Sequence, residues 1–193
     1  MSDDRPTPAD LDGDGKADVA VYRPSEGTWY LLFSSSGQYA IYRFGASADM
    51  PAVGDYDGDG KADVAVFRPS TGVWYILRSS DGGASIAQFG QNGDKPVAGD
   101  FDGDGQSDLV VYRKSEGIWF LYRSKLGFGA ARFGLAEDAP LQADLDGDGQ
   151  NDIALFRPST SEWFWIRSSD GQVLSFMFGA AGDTAVPSIY TGN

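Results

Sequence analysis

Cysteine and histidine are both absent from the 193 residues. Without cysteine, neither a disulfide framework nor a thiolate metal site is open to the chain, and cysteine usage says nothing about its compartment. Without histidine, the commonest general base is missing, together with Ser-His-Asp and Cys-His arrangements and the imidazole ligands of zinc. Hydrolytic catalysis is disfavoured on that ground. No apolar run approaches eighteen residues and no signal-peptide pattern stands at Met1, so no membrane insertion is expected and the chain reads as soluble. Helical periodicity is also missing at any useful length. Basic residues are few: 15 Lys and Arg against 28 Asp and Glu give a net charge of −13, with no basic cluster. Nucleic acid and anionic lipid are therefore poor partners. What remains, 41% hydrophobic and 13% aromatic residues, suffices for a sizeable core and excludes a disordered acidic tail.

The acidity has a pattern. Asp10-Leu11-Asp12-Gly13-Asp14-Gly15-Lys16-Ala17-Asp18 returns, with its polar positions nearly unchanged, at 55–63, 100–108 and 144–152. Four carboxylates within nine residues repel one another unless a cation sits among them. These loops hold sixteen of the 28 acidic residues, and four divalent ions would bring the net charge to about −5. Calcium takes six to eight oxygen ligands, and each loop can supply them. In the first loop Asp10, Asp12, Asp14 and Asp18 offer carboxylates and Lys16 a backbone carbonyl, while Gly13 and Gly15 let the chain turn tightly. The equivalent sets are Asp55, Asp57, Asp59, Lys61 and Asp63; Asp100, Asp102, Asp104, Gln106 and Asp108; and Asp144, Asp146, Asp148, Gln150 and Asp152. Side-chain identity at the carbonyl position is expected to matter little. About four calcium ions, one per repeat, are thus anticipated in a structural role. An EF-hand is excluded, because its twelfth-position Glu is replaced by Val21, Val66, Val111 and Leu155 and the flanks read as strands. Magnesium, which retains its waters, suits such a cage less well.

The loops recur with the tryptophans Trp29, Trp74, Trp119 and Trp163 at a period of about 45 residues. One residue is missing between Arg123 and Phe133, which assigns the deletion to a surface hairpin. Repeats of 4–48, 49–93, 94–137 and 138–182 follow, with 183–193 a partial fifth in which Ile189 replaces the first loop aspartate. Each repeat reads as four short strands. One, such as Pro96 to Asp100, leads into the acidic loop, and an apolar one follows it. A third, after an Arg-Pro-Ser type turn, carries the tryptophan, and a fourth ends in Phe-Gly. The second and third strands are apolar on both faces, so both sides of each sheet must be covered. Small sheets stacked face to face around an axis meet this requirement: an all-β fold, a single β-propeller of four four-stranded blades. The partial fifth repeat offers two arrangements. It packs against the first blade to close a four-bladed ring, or a second chain completes it, making this chain half of a larger propeller and the protein a homo-oligomer.

Asp-x-Asp-Gly-Asp-Gly-x-x-Asp, the β run after it, the Trp strand and the Phe-Gly ending resemble the FG-GAP or VCBS-type repeat. That repeat is related to the calcium-binding blades of integrin α-subunit propellers. The resemblance covers nearly the whole chain, although Asp-x-Pro stands where the integrin motif has Gly-Ala-Pro. It implies that the acidic loop is the hairpin between the first two strands of a blade. It also implies a secreted or cell-surface adhesion or binding module.

Other repeated residues carry alternatives. The four tryptophans can stack on sugars, as in a lectin, or anchor blade on blade, and their place in an apolar strand favours anchoring. Trp165 replaces the aliphatic residues Leu31, Ile76 and Leu121. Arg23, Arg68, Arg113 and Arg157 can bind an acidic ligand or tie down their own turns against a nearby carboxylate, and the latter is favoured. No carboxylate pair for glycoside hydrolysis stands out, since Glu26, Glu116, Glu137 and Glu162 fall in turns or connections. Nearly equal repeats suit binding better than catalysis, which needs one asymmetric site. The expectation is a non-enzymatic, calcium-stabilised module for a protein or carbohydrate ligand, with a lectin as the alternative and a glycan-active enzyme a distant one.

Overall fold

In the computed structural model, which describes residues 3–185, four antiparallel meanders follow one another along the chain. Blade 1 comprises β1 (Arg5–Pro6), β2 (Val19–Arg23), β3 (Thr28–Leu32) and β4 (Tyr39–Arg43). Blade 2 comprises β5 (Met50–Pro51), β6 (Val64–Arg68), β7 (Val73–Leu77) and β8 (Ala84–Gln88). In blade 3 these positions are β9 (Lys95–Pro96), β10 (Leu109–Arg113), β11 (Ile118–Arg123) and β12 (Gly127–Arg132). In blade 4 they are β13 (Ala139–Leu141), β14 (Ile153–Arg157), β15 (Glu162–Ile166) and β16 (Val173–Met177). This is a four-bladed β-propeller architecture, all-β, with no helix among the described residues.

The first strand of each blade is shorter than the sequence suggests. Only two or three residues pair with the second strand, because proline brings no N–H to the ladder. The chain then leaves the sheet and touches it once more at the mouth of the acidic loop, where Asp18, Asp63 and Asp108 bridge to Ala9, Gly54 and Gly99. The deletion in blade 3 falls in the hairpin after β11 as expected. The hairpin tightens and both flanking strands run to six residues instead of five.

The chain divides into two compact units: blades 1 and 2 with the tip of the third acidic loop (Gly105–Ser107), and blades 3 and 4. Each unit has a core made by the back of one blade against the front of the next. In the first, Ala20, Tyr22, Trp29 and Leu31 project from the back of blade 1 onto Val64 and Val66 at the front of blade 2. In the second, Val110, Tyr112, Trp119 and Leu121 meet Leu155 of blade 4. Alternation along each strand sends even-register side chains backward and odd-register ones forward, which is why both faces had to be apolar. Trp29, Trp74 and Trp119 are fully buried, each tilted against the aromatic residue opposite it on the second strand at 4.8–5.3 Å. Their indole N–H groups donate to the carbonyls of Phe44, Phe89 and Phe133. The tryptophan and the Phe-Gly ending thus form one device, and these three rings are blade anchors with no face open to a sugar.

The four repeated arginines are likewise committed. Arg23, Arg68, Arg113 and Arg157 each bind a carboxylate nineteen residues earlier, at Asp4, Asp49, Asp94 and Asp138, through Nε and Nη2. Each guanidinium also lies 4.3–4.7 Å from an aromatic centroid of its own third strand. The aspartate is the first residue of the Asp-x-Pro phrase. Asp49 and Asp138 additionally accept from Ala46 N and Leu135 N in the connection that follows the preceding blade's Phe-Gly. One buried carboxylate therefore fastens a blade's second strand to the end of the blade before it.

Of the partial fifth repeat, Ala185 packs against the core of blade 4. The expected strand beyond it, with Ile189, lies outside the described residues.

Candidate functional site

Each acidic loop is folded by its own first aspartate. The Asp10 carboxylate accepts from Gly13 N at 2.6 Å and Gly15 N at 2.8 Å, and Asp55 and Asp144 repeat both bonds. To aim those amides inward, the two glycines adopt φ near +80°, a conformation that a side chain would resist. The ninth residue closes the loop from beneath. Asp18 is buried, accepting from Leu11 N and from Ser34 N of the hairpin between β3 and β4. Asp63, Asp108 and Asp152 do the same with Ser79, Ser124 and Ser168.

This geometry brings together the carboxylates of positions one, three and nine. Ligand atoms of Asp10, Asp12 and Asp18 lie within 4.8 Å of one another, as do those of Asp55, Asp57 and Asp63; Asp100, Asp102 and Asp108; and Asp144, Asp146 and Asp152. The fifth-position carboxylates turn toward a serine: Asp14 accepts from Ser34 Oγ, Asp59 from Ser79, Asp104 from Ser124 and Asp148 from Ser168. The third-position carboxylates take a second serine, Ser35, Ser80 or Ser169, in three blades. Blade 3, with Lys125 there, substitutes the backbone amides of Lys125 and Leu126. Reading the sequence alone misses this serine pair as part of the site, although its recurrence twenty and twenty-three residues after its aspartates is visible there.

Of Lys16, Lys61, Gln106 and Gln150, all expected to matter only through their carbonyls, the last three show a second role. A Cβ on Gly13 would lie 3.0 Å from Lys61 Cε, one on Gly58 3.1 Å from Gln106 Cγ, and one on Gly103 3.0 Å from Gln150 Cγ. The seventh side chain of one loop covers the fourth-position glycine of the loop before it. Alongside, Ala62 N donates to Asp10 O, Ser107 N to Asp55 O and Asn151 N to Asp100 O, at 2.5–2.7 Å.

The clusters fit a hard divalent cation. Their donors are carboxylate oxygens alone, which suits calcium or magnesium and not a metal that prefers imidazole or thiolate. In loop 3 the Oδ1 of Asp102 is buried with no hydrogen-bond partner. Two charges 4.8 Å apart repel by about 3.5 kcal/mol at an effective dielectric of about 20, and both Asp102 and Asp108 are buried. Burial accordingly pushes the Asp108 carboxyl up to about 6 and raises Asp63 and Asp152 as well. A bound cation would favour the ionised form and engage the orphaned oxygen.

The model of the FG-GAP-like repeat matches residues 10–66 and 55–111, more than half of the chain. The chain belongs to the FG-GAP-like repeat family. Each match begins on the first aspartate of one acidic loop and ends within the second strand of the following blade, so the FG-GAP-like unit includes the loop and the serine hairpin that clamps it. No curated protein sequence matches this FG-GAP-like chain. Among solved structures it is similar to a streptogramin B lyase, at 12% identity and TM-score 0.56, over 82% of this chain and 50% of that one. Virginiamycin B lyase from Staphylococcus aureus is similar at 10% identity and TM-score 0.55, over 90% and 54%. An Agrocybe aegerita lectin that recognises non-reducing terminal N-acetylglucosamine is similar at 17% identity and TM-score 0.56, over 91% and 52%. Likeness at such identity shows the fold alone. The chain spans about half the length of these structures.

Proposed function

We propose that this FG-GAP-like chain is a calcium-stabilised, non-enzymatic binding module of the secreted or cell-surface kind, whose ligand is a protein or a carbohydrate. The observation that carries the reading is the fourfold recurrence of the same three-carboxylate cluster, each built on a buried ninth aspartate. In each loop the first, third and ninth carboxylates would hold calcium, with the fifth aspartate and the seventh carbonyl completing the oxygen shell. The ion supplies charge neutralisation, and the loops serve the fold. Equivalence of the four clusters argues for scaffold and against a single reactive centre. A lectin of the same fold makes carbohydrate one ligand class to test, with exposed aromatics such as Tyr39, Tyr122 and Phe128 as the surfaces, since Trp29, Trp74 and Trp119 are buried.

The experiment is thermal unfolding with excess chelator and after calcium is restored, alongside calorimetric titration with calcium. A large drop in Tm on chelation, full recovery and about four sites are expected. An unchanged melt with chelator would refute the structural calcium. A glycan array, read against Tyr39→Ala and Phe128→Ala, separates the ligand classes.

A further inference from the structure

Within each unit the blade contact follows one template: the back of a blade, with its tryptophan, takes the odd-register apolar residues of the next blade's front. Among the described residues, two faces of that template are only partly covered, the second carrying Ala185 beside Trp163 and Trp165. At the front of blade 1, Val19 is 62% exposed where its equivalent Val64 is 6%, and Leu32 beside it is exposed as well. At the back of blade 4, Phe176 and Phe178 are 58% and 68% exposed, and Leu174 is exposed. Trp163 is only half-buried where Trp29, Trp74 and Trp119 are fully enclosed. Contiguous apolar faces of this kind mark interaction surfaces.

We propose that a second copy of this chain covers both faces: the blade 1 front of each copy seats on the blade 4 back of the other, so that two copies close a ring through two identical contacts. Two observations single out a second copy over another partner. The two faces are complementary by construction, being the two halves of the contact that Val64 and Val66 already make with Tyr22 and Trp29. The loop contacts are also half-made at the same ends. The Lys16 side chain is 75% exposed, and a Cβ on Gly147 would meet nothing within 4 Å, whereas Lys61 covers Gly13 and Gln150 covers Gly103. Lys16 seated on Gly147 would stand between Asp146 and Asp148, a complementary charge. The solved structures of similar fold are chains about twice as long, so the fold accommodates about as much chain again. A front-to-back contact is heterologous, and it closes when the rotation per copy completes a circle.

The test is light-scattering mass of the full chain in calcium over a wide concentration range. Wild type is expected at twice the 20.6 kDa chain mass. Val19→Glu and Phe176→Glu alter exposed side chains, and each is expected to be monomeric alone with unchanged circular dichroism. Mixed, they are expected to pair, because the free back of the first accepts the free front of the second. A monomeric wild type overturns the proposal, since it leaves blade 1 to pack within its own chain or not at all. Dimers that survive in either variant alone overturn it in favour of a like-with-like contact, and a mass that climbs without limit overturns the closed ring.

Discussion

Replacing Asp49 by asparagine tests whether the Asp-x-Pro aspartate holds two blades together. Its carboxylate is buried and takes Nε and Nη2 of Arg68, each at 2.9 Å, and Ala46 N at 2.8 Å. Asparagine keeps the shape but removes the charge and turns an N–H group toward a guanidinium. Breaking a buried pair from one side costs about 3–5 kcal/mol. Arg68 retains some access to water, which places this variant near the lower bound, about 3 kcal/mol. At roughly 2–4 °C per kcal/mol for a chain of this size, Tm should fall by about 6–12 °C in saturating calcium. Asp4→Asn is the control. It removes the equivalent bonds to Arg23, at 2.7 and 3.1 Å, but its carboxylate is 30% exposed, so water compensates and Tm should barely move. Differential scanning calorimetry on both variants decides. Equal shifts, large or small, would refute the argument that burial and the second attachment at Ala46 set the strength of this contact.

Loop 4 is expected to bind calcium more weakly than the others, because Arg167 Nε lies 3.2 Å from the Asp146 carboxylate; Arg167→Ser should strengthen the weakest step of a calcium titration without affecting the rest. Burial pushes the phenols of Tyr22 and Tyr112 up to about 12, and they donate to Ala46 O and Leu135 O. The folded state therefore keeps protons that the unfolded chain releases near pH 10. Stability should be fully present below about pH 10 and fall as pH rises to about 12. Phenylalanine already occupies this register at Phe67 and Phe156, so the Tyr22→Phe, Tyr112→Phe double variant should fold and show a flatter denaturant midpoint across that window. Ser161 adopts φ 57° where Gly27, Gly72 and Gly117 stand in the other blades, so Ser161→Gly should raise stability by about 1 kcal/mol. Gly72→Ala should do the reverse and more, since its Cβ would collide with Gly90 O.

What is legible in the sequence is what each repeat states by itself. The period, the acidic loops, the four-strand meander and the blade architecture follow from spacing and from strands apolar on both faces. The resemblance to the FG-GAP repeat rests on the same local phrases. Contacts between phrases are less legible. In the sequence Asp49 marks only the start of a repeat, because nothing in Asp-Met-Pro indicates that its carboxylate reaches an arginine nineteen residues on and an amide three residues back. The Ser34-Ser35 pair reads as hairpin punctuation, since its hydroxyls meet Asp14 and Asp12 only after the third strand has folded back. Lys61 reads as a bystander because its contact, Gly13, belongs to another repeat. The first strands read too long for a different reason: alternation around Pro96 is compatible with a strand, but a missing N–H and the exit into the loop limit the pairing to two residues.

These cross-repeat contacts change how the acidic loops are to be understood. The side chain of Asp10 organises its own glycines, while its carbonyl accepts from Ala62 in the next loop, so one residue serves both the site and the neighbour. The same holds for Asp55 with Ser107 and Asp100 with Asn151. A cation that orders one loop thereby positions the acceptor for the following one. Stability in such an array is a sum of unit and nearest-neighbour contributions, and here calcium would act on both. The Lys16 side chain of the first loop is 75% exposed, and among the described residues a Cβ on Gly147 of the fourth would meet nothing within 4 Å. The two end loops are therefore the ones whose calcium affinity should respond to pairing between copies, whereas the second and third should not.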